Sequence, residues 1–211
     1  MAYVLGFFAA DGYITVNKRG GQFWCIQITD KLLLQDIKKV VGAEHVISKR
    51  KRVGNEKASY RIQIGSIEMC NDLRYLGFGE RKAKRLVLPN VPRKYFCDFV
   101  RGYFDGDGNV WMGKIHKDRR VPMMALRVVF TSCSQDFLSR LKDTLNEAIK
   151  TNGSVIIQDS YARLQYSIKD SLQLYNFMYN TLGSSRLFLT RKRPFLRLIS
   201  RLVYCGRSSI G

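Results

Sequence analysis

Histidine is nearly missing from this chain of 211 residues: there are two, His45 and His116, far apart. The five cysteines (25, 70, 97, 133 and 205) contain no C-x-x-C pair. Together these shortages exclude an ordinary zinc site. An odd cysteine count with no short-range pattern reads as reduced thiols. The expected compartment is therefore intracellular and reducing: a bacterial or archaeal cytoplasm, or an organelle. No apolar run approaches the ~18 residues that span a bilayer. The first residues are apolar but lack a basic leader and meet Asp11 early, so no signal peptide and no membrane association are expected. Acidic residues are also scarce, 17 against 36 Lys and Arg, giving a formal net charge of +19. Such an excess opposes folding by self-repulsion and calls for a polyanionic partner. Nucleic acid is the favoured one, because neutralised phosphates release counterions. An anionic membrane or a merely solvated surface is the rival. Hydrophobic residues make up 45% of the chain, enough for a packed core.

What the chain does have is one segment twice. LGFFAADG occupies 5–12 and RGYFDGDG occupies 101–108. The likeness continues beyond them. The β-like run 23–29 matches 125–131, with ends 102 apart, and 60–64 matches 162–166 at the same offset. Leu76 and Gly77 match Leu182 and Gly183, and Arg81 and Lys82 match Arg191 and Lys192. The offset grows a few residues at a time, as loop insertions produce. A period near 100 marks a tandem duplication, not a solenoid.

Each half reads helix, two strands, helix, two strands, helix. In the first half strands are expected at 13–18, 23–29, 45–50 and 59–64. The first two are joined by a Gly20–Gly21 hairpin signal. Helices are expected from the start to Asp11, over 31–42 and from 67 to Gly77. The prolines of 88–92 break structure. The expected division is an N-terminal repeat at 1–87, a linker at 88–97 and a C-terminal repeat at 98–211. Strand alternation then sorts faces. Trp24, Ile26 and Ile28 oppose Cys25, Gln27 and Thr29, while Ile62 and Ile64 oppose Arg61 and Gln63. In the second half Leu126, Val128 and Phe130 oppose Arg127 and Val129, and Leu164 and Tyr166 oppose Arg163 and Gln165. Each sheet thus has a face for helices and a face bearing Arg and Gln. Arg suits guanine and Gln suits adenine in a major groove. An ordinary solvated sheet face is the plainer alternative. Arg50 and Arg52, in the basic loop 49–57, and Lys114 extend the candidate DNA-binding set.

Gly6 and Ala10 are four apart, as are Gly102 and Gly106, so each pair shares one helix face. Small residues there let two helices cross with backbones in near contact. Gly12 and Gly108 are expected to take the left-handed conformation that ends a helix. Asp11 and Asp107 would then sit side by side at two helix C-termini. The helix dipole and their mutual repulsion both disfavour carboxylates there. A divalent cation removes both penalties, and the residue types suit Mg²⁺, with Mn²⁺ or Ca²⁺ as substitutes for binding. A single Asp-Gly is usually only a helix-end turn. Two of them, on small-residue helices in a duplicated basic chain, point to metal-dependent chemistry on phosphate.

These two segments resemble the paired motifs of the LAGLIDADG homing endonucleases, in their monomeric two-repeat class. The resemblance implies an α+β fold of two pseudo-symmetric αββαββα repeats, with antiparallel sheets forming a DNA-binding saddle. It implies that Asp11 and Asp107 bind metal, that the carbonyls of Ala10 and Gly106 add ligands, and that the substrate is double-stranded DNA. The product would be a double-strand break with short 3′ overhangs at a long, imperfectly palindromic site. Basic groups would offset charge in the transition state. Lys82 and Lys192, at matched positions after the third helix of each half, are the first candidates. Lys31 is their rival, although the second half has Ser132 and Cys133 where the first has Asp30 and Lys31. No Cys, Ser or Asn splice junction frames the chain, so a free-standing or intron-encoded enzyme is expected. An RNA maturase or a DNA-binding protein that has lost cleavage is the competing class.

Overall fold

The computed structural model describes residues 1–50, 57–80, 84–116, 118, 120, 123–180 and 187–192. These fall into two compact units, one holding 1–107 with 187–188, the other beginning at 108. The elements of the first unit are α1 (Ala2–Asp11), β1 (Gly12–Val16), β2 (Gln22–Ile28), α2 (Lys31–Val40), β3 (Ser48–Lys49), β4 (Tyr60–Gly65), α3 (Ile67–Tyr75) and α4 (Arg93–Asp107). Those of the second are β5 (Gly108–Ile115), β6 (Met123–Ser132), α5 (Gln135–Ile149), β7 (Ser154–Ile157), β8 (Ala162–Tyr166) and α6 (Ile168–Tyr179). The order helix, two strands, helix, two strands, helix occurs twice, as the duplication predicts. Each unit carries one four-stranded antiparallel sheet, ordered β1-β2-β4-β3 and β5-β6-β8-β7.

Helix α1 is apolar on nearly every side because it is covered on two. Tyr3, Val4, Phe7, Phe8 and Ala9 are all buried. One side packs along α4 and the other on β1 and β2, where Phe8 meets Trp24 and Phe78 edge to face, each at 6.0 Å. The inner face of the first sheet is Ile14, Trp24, Ile26, Ile62 and Ile64, met by Leu33, Leu34 and Ile37 of α2 and Cys70 of α3. Burial of each such large side chain is worth about 1.5–3 kcal/mol. Asp30 starts α2 by accepting from the Leu33 amide at 3.1 Å, and Ser66 starts α3 by accepting from Met69, also at 3.1 Å. The β1–β2 turn uses Gly20 at φ 79°, braced by Asn17, whose side-chain oxygen accepts from the amides of Arg19 and Gly21.

In the second unit Leu126, Val128, Phe130, Leu164 and Tyr166 form the covered face, packed under α5 and α6. A buried hydroxyl ties helix to sheet: Ser171 donates to the Tyr166 carbonyl at 3.1 Å and accepts from the Val128 amide at 3.2 Å.

Four expectations need correction. The stretch predicted as a linker, 88–97, is non-helical only to residue 92; Arg93 already begins α4. The strand predicted over 45–50 shrinks to Ser48–Lys49, and Val46 before it is 84% exposed, so it adds no buried apolar side chain to a longer strand. Gly12 is extended (φ −83°) and Gly108 starts a strand; neither is left-handed. Gly12 is small for a different reason: a Cβ there would run into the Phe8 ring. Finally, Gly12 pairs with Ile26 and Gly108 pairs with Phe130. The second strands therefore correspond at an offset of 104 rather than 102. The slip is even, so the faces stay as assigned, but the partners change. Arg127 answers to Phe23, Val129 to Cys25, and Lys31 to Gln135, the first residue of α5.

Candidate nucleic-acid interface and catalytic centre

The four small residues of the α1–α4 seam touch as their spacing predicts. A Cβ on Gly6 would strike the carbonyl of Phe99, and one on Gly102 would strike the carbonyl of Tyr3. The two contacts mirror each other across the crossing. One turn further on, a Cβ on Gly106 would collide with the Cβ of Ala10. The same position on Gly106 lies 3.2 Å from Oδ2 of Asp11. The Asp11 carboxylate thus leans over the facing helix, next to the residue that precedes Asp107. Both acids belong to the same compact unit; Asp11 is half-buried and Asp107 exposed.

A polar cluster lies behind them in the seam. The Tyr3 hydroxyl donates to Asp105 Oδ2 at 2.7 Å, and both residues are buried. The Arg101 guanidinium lies over the Tyr3 ring at 5.5 Å, pairs with Asp98 and donates through Nε to the Leu187 carbonyl at 2.9 Å. Arg101 is only 1% exposed, so this pair is held by its hydrogen bonds and not by water. None of these four residues was marked from the sequence. Comparing the repeats position by position would have found them, since Phe99, Ala9, Leu5 and Ala2 stand opposite Tyr3, Asp105, Arg101 and Asp98.

Of the candidate lysines, Lys192 donates from Nζ to the carbonyl of Gly108 at 2.7 Å and is half-buried. Gly108 directly follows Asp107, so this lysine lies against the end of the second motif. Lys31 is exposed at the start of α2, its Nζ 5.8 Å from the Tyr60 ring centre. Tyr60 pairs with Ile28, at the end of β2 that also receives Gly12. Lys82 and Arg52 lie outside the described residues.

The outer face of the first sheet holds Tyr13, Phe23, Cys25, Gln27, Arg61 and Gln63 by register. Arg50 reaches across from beyond β3 and donates to Gln27 Oε1 at 2.9 Å, while Gln27 donates to the Ser59 hydroxyl at 3.4 Å. Thr29 is exposed just past β2. Cys25 is a correction. It lies on this face, but it is fully buried between the strands bearing Tyr13 and Gln63. Burial pushes its thiol up, partly offset by the Arg61 charge; it has no surface to offer a ligand.

The outer face of the second sheet holds Asn109, Trp111, Arg127, Val129, Thr131, Arg163 and Gln165. Arg127 and Arg163 are exposed; Val129 and Gln165 are half-buried. Lys114 is the other correction. Its register is that of Val110 and Met112, on the opposite side from Arg127. Tyr13, Asn109 and Trp111 share these outer faces because the edge strands carry the same period of two.

The site has a chemistry that fits a hard divalent ion. Two carboxylates sit at the ends of tightly crossed helices, and backbone carbonyls are adjacent. Among the described residues no three His, Cys, Asp or Glu side chains converge into a cage. Mg²⁺ takes few protein oxygens and keeps water and phosphate ligands, which suits such a sparse set.

Comparison with known proteins bears on the fold. The fold is that of the LAGLIDADG meganucleases, and residues 1–77 match the model of a LAGLIDADG-like domain. The crystal structure of the LAGLIDADG meganuclease I-AabMI bound to uncleaved DNA is similar over 98% of this chain and 91% of that one, with a TM-score of 0.67 at 15% identity. The meganuclease I-SmaMI, bound to uncleavable DNA, is similar over 99% of this chain and 90% of that one, at TM-score 0.66 and 15% identity. The homing endonuclease I-WcaI, bound to its recognition sequence, gives 0.62 at 18% identity, covering 89% of this chain and 84% of its own. In sequence, 91 residues are 40% identical to a probable translation initiation factor IF-2 of Thermococcus kodakarensis, covering 39% of this chain but only 7% of that protein. Among the described residues no helix is long and apolar enough to cross a membrane.

Proposed function

We propose that this protein is a sequence-specific DNA endonuclease that makes double-strand breaks and works as a monomer built of two repeats. The observation that carries this reading is the lean of Asp11 over Gly106 in a seam too narrow for any larger residue. The first repeat runs to about residue 87 and the second begins with α4 at Arg93, with the short intervening segment joining them. Asp11 and Asp107 hold divalent cations, Mg²⁺ first among them, helped by the carbonyls of Ala10 and Gly106. The chemistry such ions supply is acidification of a water and neutralisation of charge at the scissile phosphate. Lys192, fixed by the Gly108 carbonyl, places a positive charge beside the reacting phosphate, with Lys82 as its counterpart and Lys31 a further contributor. The net charge of +19 draws the duplex in.

The two outer sheet faces read base edges, with Arg61, Gln63, Gln27 and Arg50 on one and Arg127, Arg163 and Gln165 on the other. The target is long and imperfectly palindromic, as two similar but unequal readers require, and the cut leaves short 3′ overhangs.

The test is incubation with a randomised duplex library in Mg²⁺, with sequencing of the cut ends. A single enriched site with staggered 3′ ends is the expected result. Binding to an enriched site without nicking in Mg²⁺ or Mn²⁺ would instead assign a non-cleaving DNA-binding protein. Preference for structured RNA over duplex would assign a maturase.

A further inference from the structure

Arg127 and Arg163 of the second sheet differ from Arg50 beside the first in how they are held. The Arg127 guanidinium lies 5.6 Å from the ring centre of Trp111, its cross-strand partner. The Trp111 ring in turn lies along its own strand above Gly113, where a Cβ would collide with the indole. Trp111 is nevertheless 40% exposed, a large aromatic on the sheet face opposite the one that α5 and α6 cover. Arg163 repeats the pattern. It lies 5.1 Å from the ring of Tyr161 and donates through Nη2 to the Tyr161 hydroxyl at 2.8 Å. Both arginines are exposed. In the first sheet Arg50 is tied instead to the amide of Gln27, a flexible polar partner that could itself contact a base.

We infer that Trp111 and Tyr161 are specificity-determining positioning residues that hold Arg127 and Arg163 in fixed orientations for bidentate contact with guanine. This rests on the reading of the chain as a duplex-DNA reader. An unrestrained arginine loses much rotamer freedom when it docks on a base. A guanidinium already seated on an aromatic face has given up part of that freedom, and the ring also attracts its charge. Of its five N–H donors Arg163 uses one on Tyr161, and the fork that remains can reach the guanine O6 and N7. The half-site read by the second sheet therefore contains guanine positions of higher stringency than the position read by Arg50, which is tied to a flexible amide.

The experiment compares wild type, Trp111→Ala, Trp111→Phe, Tyr161→Ala and Tyr161→Phe in Ca²⁺. Affinity is measured for the selected target, for single-base variants of it, and for unrelated duplex across a salt series. Trp111→Ala is expected to erase about tenfold of discrimination at one guanine, a share of the ~1–3 kcal/mol carried by a bidentate pair. Unrelated-duplex affinity and salt slope should stay unchanged. Trp111→Phe should restore most of the loss, and Tyr161→Phe should keep more than Tyr161→Ala. Arg127→Ala combined with Trp111→Ala should lose no more than Arg127→Ala alone. Equal weakening on every sequence, or unchanged discrimination at all guanines in the alanine variants, overturns the inference. Circular dichroism of each variant separates a misfolded sheet from a lost reader, and Tyr161→Ala tests the idea independently if Trp111→Ala fails to fold. Failure of the wild type to prefer any duplex would instead remove the reading beneath it.

Discussion

The α1–α4 seam and the sheets of the two repeats were built from the same duplicated sequence, yet they have diverged in opposite ways. Along the seam the backbone contacts stay matched: Gly6 under the Phe99 carbonyl, Gly102 under that of Tyr3, Ala10 against Gly106. Around these points the side chains have parted. Tyr3, Asp98, Arg101 and Asp105 form a polar cluster on one side, where the other side has Phe99, Ala2, Leu5 and Ala9. In the sheets the strand order is preserved, but the outward residues have become a polar amide network in one repeat and aromatic-seated arginines in the other. The backbone contacts beside the acids are kept, whereas the side chains around them and on the outer sheet faces have specialised.

The largest effects should come from breaking the matched part. Asp11→Asn and Asp107→Asn should each abolish double-strand cleavage while leaving target binding in Ca²⁺ near wild type. If one variant cuts normally, the two acids are not partners. Lys192→Met should come next, with a cleavage rate lower by roughly 10²–10³-fold, the usual cost of one charge-stabilising donor, and unchanged affinity. A variant that binds weakly but cuts at the normal rate once bound would make Lys192 a phosphate contact only.

Gly102→Val tests the seam as packing. Backbone has no room to move, so the loss should reach or exceed the ~1–3 kcal/mol of ordinary overpacking, read by denaturant unfolding. Little change would mean the helices can separate without penalty. The unmatched part gives the smallest effect. Tyr3→Phe should cost about 1–3 kcal/mol, because the buried Asp105 oxygen loses its hydroxyl donor. Adding Asp105→Ala copies the Phe99–Ala9 pair and should recover part of that loss. A double variant less stable than the single one would show that Asp105 has a separate structural duty.

Most of the architecture was legible because it rests on periodic signals. The small-residue spacing of Gly6, Ala10, Gly102 and Gly106 forecast the seam, and alternation in the central strands forecast both faces. Residue-level partners were less visible. Identity alone aligned Thr29 with Thr131, but hydrogen-bond register aligns Gln27 with it, since pairing depends on turn lengths that identity does not report. Alternation also marked Cys25 as outward without revealing that its neighbours close over it. Lys114 carries a suitable charge, but its parity puts it on the opposite side. The Tyr3–Asp105 bond joins residues 102 apart and has no local signature at all.

That bond bears on how such a protein can be rebuilt. A half taken from a relative and spliced in near residue 90 would arrive with its own fourth helix but face an inherited first helix. Where the newcomer presents an acid at position 105, the host must supply the hydroxyl at position 3; where it presents alanine, that hydroxyl is stranded. Chimeras should therefore assemble in compatible pairs, and the two repeats, once interchangeable, now carry a mutual key that confines shuffling to matched sets.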